Sequence, residues 1–260
     1  MTCPIQDSLR IGSAPFRRRL VDVSRRILAD RGFALVRIGN DQRAFAAGGW
    51  NAWRWASALR INTVFDIGAN AGQFIEFALE TLPESTIHAF EPMPECFAIL
   101  CARYGGLPQV RLHCVALSDQ DGTGTFYVSE HDPSSSLLES DTQMASTFPH
   151  NRTARTTTVH LARLDAFSEE LRQDARLLVK LDVEGAELSV LRAGAEVLSQ
   201  ALAVVVEVAF LPLRKDQGHF ADIHDSLREL GFRFSGVLGS QKLRRQDGLP
   251  LLADCLFLRT

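Results

Sequence analysis

Cysteine is sparse and irregularly placed in this sequence of 260 residues. The five cysteines form no C-x-x-C pair and no histidine-rich spacing, and their number is odd, which argues against a disulfide framework and a zinc motif. Three of them lie inside apolar stretches. We therefore expect buried, reduced thiols at Cys96, Cys101 and Cys114, as is usual for a cytoplasmic protein.

A long apolar run is also missing. The most apolar stretch, residues 201–213, contains Glu207 and is too short to span a bilayer, so we expect no transmembrane segment. The formal net charge is only −3, which disfavours a nucleic-acid partner. Lysine is rare, with 3 residues against 25 arginines, a bias that we attribute first to a GC-rich, bacterial genome.

The N-terminal region has seven arginines in its first 31 residues but no continuous apolar segment, so a secretory signal is not expected. Apolar residues recur there at helical spacing, which predicts a helical extension over residues 1–60. A helix packed on the domain, a transit peptide and a membrane-surface anchor are all open interpretations of this extension. The helical spacing is carried by Phe16, Leu20, Val23, Ile27 and Leu28.

Residues 61–260 alternate short β-branched runs with longer helical patterns, which predicts one α/β domain with a parallel sheet and helices on both faces. Only about 16 residues without a helical pattern separate the last two strands, so these are expected to pair antiparallel. The predicted strands are 62–67, 86–90, 110–117, 177–183, 203–208, 232–237 and 254–259, and the predicted helices include 94–104 and 186–198.

An insertion at about residues 120–162 interrupts this alternation with two further strands, 123–129 and 156–161, and a loop that carries Ser and Pro. Such an insertion on an α/β sheet is more often a lid or a substrate-facing loop than a separate domain. Together with a C-terminal loop over residues 239–249, it is expected to determine which substrate binds.

The first strand runs into the loop Gly68-Ala69-Asn70-Ala71-Gly72-Gln73, and a helix follows. Glycines in such a turn let the backbone approach a ligand, so Gly68, Asn70, Gly72 and Gln73 are candidate cofactor-binding residues. The dinucleotide pattern G-x-G-x-x-G is incomplete, because Asn70 replaces its second glycine and the third is absent. This leaves room for a bulkier, less anionic ligand, and Asp66 adds a carboxylate that would favour a cationic one.

Glu91 closes the second strand, about 23 residues after Gly68, and Pro92 follows it. An acidic residue there can accept the hydrogen bonds of both ribose hydroxyls of an adenosine moiety, whether in NAD or in S-adenosylmethionine. At the end of the third strand, the small and apolar residues Ala116, Leu117 and Ser118 can flank an adenine ring. Ser118 is equally suited to open a turn.

The segment Leu181-Asp182-Val183-Glu184-Gly185-Ala186-Glu187 forms a strand-to-helix turn rich in carboxylates. Because Asp182 and Glu184 alternate with apolar residues, we expect both acids to point into a ligand crevice at the end of the sheet. Alternatively, Glu184 and Glu187 complement a helix N-terminus, which explains Glu187 well but not Asp182, since Asp182 still belongs to the buried strand. A Mg²⁺ ion held by Asp182, Glu184 or Glu207 is possible, but no spacing demands it and no metal ligand is assigned.

With these motifs assembled, the chain resembles the FkbM-type family of S-adenosylmethionine-dependent methyltransferases over roughly residues 62–210. The resemblance implies a class I, Rossmann-like three-layer α/β sandwich with a seven-stranded, mostly parallel sheet and an antiparallel last strand. It also implies S-adenosyl-L-methionine as cofactor and O-methylation of a hydroxyl on a sugar, glycolipid or polyketide-type natural product. The matching segments are VFDIGANAGQF (64–74), AFEPMPECFAIL (89–100), VALSDQDGTGTFYV (115–128), SSSL (134–137), VKLDVEGAELSVLRAGAEVL (179–198) and VVVEV (204–208).

An alcohol is a weak nucleophile, so such a reaction is expected to use a general base. We favour Asp182, which is also expected to face the cofactor, or Glu184, because the core fixes a strand end. His131 in the insertion is the next candidate, and His150 and Glu207 remain open. A small-molecule or glycoconjugate acceptor is expected, and the oligomeric state is not indicated.

Two other functions remain as alternatives. A nicotinamide-dependent oxidoreductase would share the fold, but the chain lacks its glycine pattern and a tyrosine with a lysine four residues on. A non-catalytic S-adenosylmethionine-binding protein would keep the cofactor motifs without the reaction.

Overall fold

Two β-sheets and the helices packed on them make up the computed structural model, which describes residues 53–130, 134–141, 152–211, 213–243 and 248–260. The strands among these residues are β1 Thr63–Ile67, β2 Thr86–Phe90, β3 Val110–His113, β4 Ala116–Leu117, β5 Gly122–Ser129, β6 Thr153–Ala162, β7 Leu177–Leu181, β8 Ala201–Ala209, β9 Phe232–Leu243 and β10 Pro250–Arg259. The helices are α1 Arg54–Ala58, α2 Gln73–Thr81, α3 Pro94–Tyr104, a 3₁₀ helix Leu164–Glu170, α4 Glu187–Arg192, α5 Ala195–Gln200 and α6 Phe220–Glu229.

The main sheet has seven strands in the order β3-β2-β1-β7-β8-β10-β9. Neighbouring strands are parallel from β3 through β8, whereas β10 runs antiparallel to both β8 and β9. The predicted seven-stranded, mostly parallel sheet with an antiparallel last strand is therefore confirmed. So is the antiparallel pairing of the final two strands.

Helices cover both faces of this sheet, which explains why its central strands β1 and β7 are buried along their whole length. Along β1, Phe65 and Ile67 pack towards one face, while Val64 packs towards the other. The first face is covered by the 3₁₀ helix, α4, α5 and α6, and the second by α1, α2 and α3. This arrangement is the predicted three-layer sandwich.

The predicted third strand, 110–117, is wrong as a single element. β3 ends at His113, and after a two-residue break β4 leaves the main sheet and pairs in parallel with β6. β6 also pairs antiparallel with β5, so the insertion contributes most of a second sheet with the order β4-β6-β5. The chain passes from the main sheet to the second sheet here because β4 pairs with β6 of the insertion.

The predicted helix 186–198 is divided into α4 and α5, with Ala193 and Gly194 between them. A Cβ atom on Gly194 would lie 2.5 Å from Leu164 Cδ2, so the 3₁₀ helix packs directly against this glycine. Asp165 then accepts a hydrogen bond from Val197 N at 3.0 Å, which satisfies a free N–H in the first turn of α5. The break is therefore stabilised by a contact distant in sequence.

Two of the cysteine predictions are wrong. Cys101 is exposed on the solvent side of α3, and Cys114 is exposed where the chain leaves β3. Cys96 is buried as expected. An apolar sequence context was misleading here because the neighbouring residues, not the thiols, face the core.

Several sequence-based expectations concern residues outside the described ranges. These include most of the N-terminal extension (1–52), with its helical pattern, together with His131 and His150 of the insertion. The segment 239–249 is less of a loop than predicted, because β9 extends to Leu243 and β10 begins at Pro250. Among the described helices, none combines the length and hydropathy needed to cross a membrane.

Candidate active site

A cleft opens at the carboxyl ends of β1, β2 and β7. Ligands of open α/β sheets bind at this edge, next to the point where the strand order reverses, and here that point lies between β1 and β7. The cleft encloses about 580 Å³, its open mouth included, which is within the range of small-molecule sites. Its position alone makes it the candidate active site.

Gly68 forms the floor of the turn after β1. Its φ of +86° is a left-handed conformation, and an added Cβ atom would lie 1.9 Å from the backbone oxygen of Asp182. Gly68 N and Ala69 N both donate to Phe90 O at 3.0 Å. The loop after β1 is thus held against the ends of both β2 and β7, and only glycine fits at its first position.

Glu91 joins the first loop to the second strand. Its Oε2 accepts a hydrogen bond from Asn70 N at 2.9 Å, and its Oε1 accepts one from Met93 N at 2.8 Å. The residue is buried, yet it lines the cleft. Because each carboxylate oxygen can accept more than one hydrogen bond, the two backbone bonds orient Glu91 and still leave capacity for ligand hydroxyls.

The walls of the cleft beside Glu91 are apolar. They come from the ends of β1 and β2, the start of α3, the second sheet and the segment that follows β5. A flat, weakly polar ring such as adenine is suited to such a surface. The apolar lining residues are Ile67, Phe90, Pro92, Met93, Val115, Ala116, Leu117, Phe126 and Leu137.

A buried group of charges lies beneath the opposite wall. Lys180 Nζ donates to Asp182 Oδ2 at 3.1 Å and lies 3.4 Å from Asp66 Oδ1. Burial alone would lower the pKa of Lys180, but the carboxylates of Asp182, Asp66 and Asp254 outweigh it and raise this pKa, so the amine stays charged. Burial also raises the pKa of Asp66, with Lys180 opposing this. The Lys180 ammonium therefore fixes the Asp182 side chain at the cleft.

Glu184 lies two residues further on, in a left-handed backbone conformation with φ of +54°. Its carboxylate is 3.5 Å from the guanidinium of Arg214, and both side chains are largely buried. Arg214 also donates to the backbone oxygens of Ser134 and Leu138. Arg214 therefore fixes Glu184 and, at the same time, the segment after β5 that closes one side of the cleft.

Glu187 does not face the cleft but organises the turn beneath it. Its Oε1 accepts hydrogen bonds from Val183 N and Gly185 N, both at 3.1 Å. Burial raises the pKa of Glu187 to about 7, against the lowering effect of these backbone hydrogen bonds. The interpretation of Glu187 as a residue of the helix N-terminus agrees with this geometry.

The predicted site residues fall into two groups. Eight of them line the cleft, namely Gly68, Asn70, Glu91, Pro92, Ala116, Leu117, Asp182 and Glu184. Asp66, Gly72, Gln73 and Ser118 are not among its lining residues: Asp66 is paired with Lys180, and Gln73 donates to the Asn70 side chain. His131 lies outside the described residues.

Gly72 has a packing role in the structure. Its backbone oxygen accepts a hydrogen bond from the Tyr104 hydroxyl at 3.0 Å, and an added Cβ atom would meet the same ring at 2.4 Å.

Sequence reasoning missed Arg214, Ser135 and Met93 as parts of this site. Ser135 belongs to the SSSL segment, which carried the resemblance but was given no role. Arg214 stands thirty residues after Glu184, the motif residue with which it pairs. No pattern in the sequence connects the two, because tertiary folding alone brings them together.

Three carboxylates of the cleft region also converge. One oxygen from each of Asp182, Glu184 and Glu207 lies within 4.8 Å of the others. Such hard ligands suit Mg²⁺, so this trio is where the divalent cation considered from the sequence would bind.

Comparison with known proteins decides between the candidate functions. The sequence profile of the methyltransferase FkbM domain matches residues 66–234, which is more than half of the chain and includes every cleft residue described above. The protein belongs to the FkbM methyltransferase family. As a member it is an S-adenosylmethionine-dependent methyltransferase, which rules out the nicotinamide oxidoreductase interpretation.

Two relatives agree with this assignment by sequence. The chain is 30% identical over 191 residues to the 2-O-methyltransferase NoeI of Sinorhizobium fredii, covering 70% of this chain and 78% of that protein. It is 44% identical over 73 residues to the 31-O-demethyl-FK506 methyltransferase FkbM of Streptomyces tacrolimicus, or 25% of this chain and 26% of that protein. The crystal structure of methyltransferase FkbM from Methylobacillus flagellatus covers 76% of this chain at 13% identity with a TM-score of 0.45, and the chain spans 44% of its length.

Proposed function

We propose that this FkbM-family enzyme is an O-methyltransferase whose acceptor is a hydroxyl group of a sugar, glycolipid or polyketide-type natural product. The observation that carries the proposal is the presence of two oriented carboxylates, Asp182 and Glu184, in the same cleft as Glu91. Two relatives, a 2-O-methyltransferase and a 31-O-demethyl-FK506 methyltransferase, support transfer to oxygen on a natural product.

The cleft has the donor and acceptor chemistry that S-adenosylmethionine requires. Glu91, clamped by Asn70 N and Met93 N, would accept hydrogen bonds from the ribose hydroxyls, and the apolar walls would hold the adenine. The cofactor supplies a methyl group on a cationic sulfonium, for which a cleft bordered by carboxylates is favourable. Its methyl group is already electrophilic, so the proposed transfer needs no metal ion to activate the methyl donor.

The two acids differ in how they are held, and we assign the general base to Asp182. Lys180 bonds to Oδ2 of Asp182, which leaves Oδ1 able to accept the proton of an acceptor hydroxyl. Glu184 is paired with a nearly fully buried arginine, Arg214, and is the more enclosed of the two. In this proposal Glu184 orients the acceptor or the surrounding loop, and a well-placed base contributes about 10²–10⁴-fold in rate.

The test is to incubate the purified protein with methyl-labelled S-adenosylmethionine and a panel of oligosaccharide, glycolipid and polyketide acceptors. An O-methyl ether is stable to mild alkali, whereas a methyl ester is hydrolysed, and mass spectrometry locates a methylated amine. We expect alkali-stable label on a hydroxyl oxygen, and less of it with Asp182→Asn. Label on a carboxylate or on nitrogen would overturn the proposal.

A further inference from the structure

A second group of metal-ligating side chains lies outside the cleft, at the edge of the main sheet. It consists of His88 in β2, His113 at the end of β3 and Glu170 at the end of the 3₁₀ helix. One ligand atom from each lies within 4.8 Å of the others. Glu170 Oε2 is 3.1 Å from His88 Nδ1 and 3.8 Å from His113 Nε2.

The two imidazole nitrogens that face Glu170 are buried without a hydrogen bond. Among the residues that the structure describes, neither His88 Nδ1 nor His113 Nε2 has a hydrogen-bond partner, although the carboxylate oxygen is close to both. His88 is 1% exposed, so bulk water does not satisfy it. Buried polar atoms in native proteins nearly always have a hydrogen-bond partner. Two neighbouring imidazole nitrogens without one therefore indicate a site for a water molecule or an ion.

We propose that His88, His113 and Glu170 bind a divalent metal ion of the Zn²⁺ type. Two imidazoles and one carboxylate are a ligand set that zinc accepts, with metal–ligand distances of about 2.0–2.2 Å. Tetrahedral ligands at such distances are separated by about 3.3 Å, close to the 3.1 and 3.8 Å observed. Glu170 is 33% exposed, so water can complete the coordination from that side.

This set differs in chemistry from the three carboxylates of the cleft, which offer only oxygen and suit Mg²⁺. The metal would join the 3₁₀ helix to the sheet edge. His113 O accepts a hydrogen bond from Glu91 N at 3.0 Å, so the ion would also stiffen the strand end that carries the ribose-binding acid.

Arg111 competes with the proposed metal ion for the carboxylate of Glu170. Its guanidinium lies 3.9 Å from Glu170 Oε2, and 57% of its side chain is exposed. An exposed arginine can turn away into solvent at little cost, since such surface ion pairs contribute only about 0–1 kcal/mol. Removal of its charge is therefore expected to tighten metal binding.

The experiment is a calorimetric titration of the tag-free, full-length protein with Zn²⁺, combined with X-ray absorption spectroscopy of the loaded protein. We expect one ion bound with two imidazoles in its coordination shell and a higher melting temperature. Glu170→Gln is expected to weaken binding more than about tenfold, since even residues that only support a metal ligand contribute that much. The neighbouring Glu169→Gln is the matched control and is expected to bind like the wild type, whereas Arg111→Gln binds more tightly.

Each contrary outcome is informative. Zinc coordinated by oxygen alone would place the ion at the cleft carboxylates and overturn the proposal, as would an unchanged affinity in Glu170→Gln. If Glu170→Gln is misfolded by circular dichroism, His113→Gln serves as the second variant under the same criteria. Absence of saturable Zn²⁺ binding at micromolar concentrations would likewise refute the site, without bearing on methyl transfer.

Discussion

Replacement of Glu91 with glutamine tests both its observed contacts with the loop after β1 and its proposed contact with the ribose. The carboxylate accepts one backbone hydrogen bond on each oxygen, from Asn70 N and Met93 N. A glutamine has one amide oxygen, so one of these buried N–H groups would face an NH₂ group and lose its bond. A hydrogen bond to a charged group contributes about 1.5–3 kcal/mol, and for a chain of this size that corresponds to a fall in Tm of about 3–12 °C.

The same substitution is expected to weaken S-adenosylmethionine binding. A ribose hydroxyl that loses a charged acceptor gives up a similar free energy, so the Kd should rise about 10–150-fold. Calorimetric titration well below the Tm measures this separately from stability. Glu95→Gln is the control, because Glu95 is exposed on α3 and pairs with the exposed Arg155 at 3.2 Å, a contact worth little.

Two results would refute this reasoning. A Glu91→Gln protein with wild-type Tm would show that the carboxylate does not clamp the loop after β1. A protein with the lower Tm but unchanged cofactor affinity would show that Glu91 holds the loop after β1 but does not bind the ribose.

Three further substitutions test other parts of the site. Asp182→Asn should lower kcat by about 10²–10⁴-fold with little change in cofactor Kd if it is the base, and full turnover would move that role to another residue. Burial raises the pKa of Glu187 in the folded protein to about 7, so its protonated carboxyl contributes up to about 3 kcal/mol to the free energy of unfolding below pH 4.5. This contribution is lost as the pH rises from 4.5 through 7. Glu187→Gln, whose amide oxygen can keep both backbone bonds, should flatten unfolding free energy against pH over that window; a profile like the wild type's would contradict it. Gly68→Ala should abolish cofactor binding and lower Tm, because its Cβ atom would overlap the Asp182 oxygen at 1.9 Å, whereas Gly106→Ala, with open space around it, should change neither.

The elements of the main sheet were predictable because local patterns determine them. β2 and α3 have the bounds that the sequence predicts, since a buried apolar run and a proline in the first turn of a helix are local signals. The break between β3 and β4 was not predictable. It depends on pairing with β6, more than thirty residues later. The strand propensity of a segment does not indicate which strand it pairs with.

The cleft was predictable to the extent that it lies at strand ends. Glu91 and Asp182 were identified because each directly follows a buried strand, and parallel strands bring their carboxyl ends together. The partners that orient these side chains were harder to foresee. Arg214 reaches Glu184 from beyond β8, and the His88, His113 and Glu170 group is assembled from three separate elements.

The position of β10 determines the order in which the sheet can be assembled. β9 hydrogen-bonds only to β10 among the described strands, although it precedes β10 in the chain. A nascent chain therefore exposes β9, with Phe234 and Val237 at its surface, before any strand can pair with it. During that interval the edge of β8 is also open, and unpaired edges are sites of aggregation. Chains that end before β10 are thus expected to be aggregation-prone even when every residue of the candidate cleft is intact.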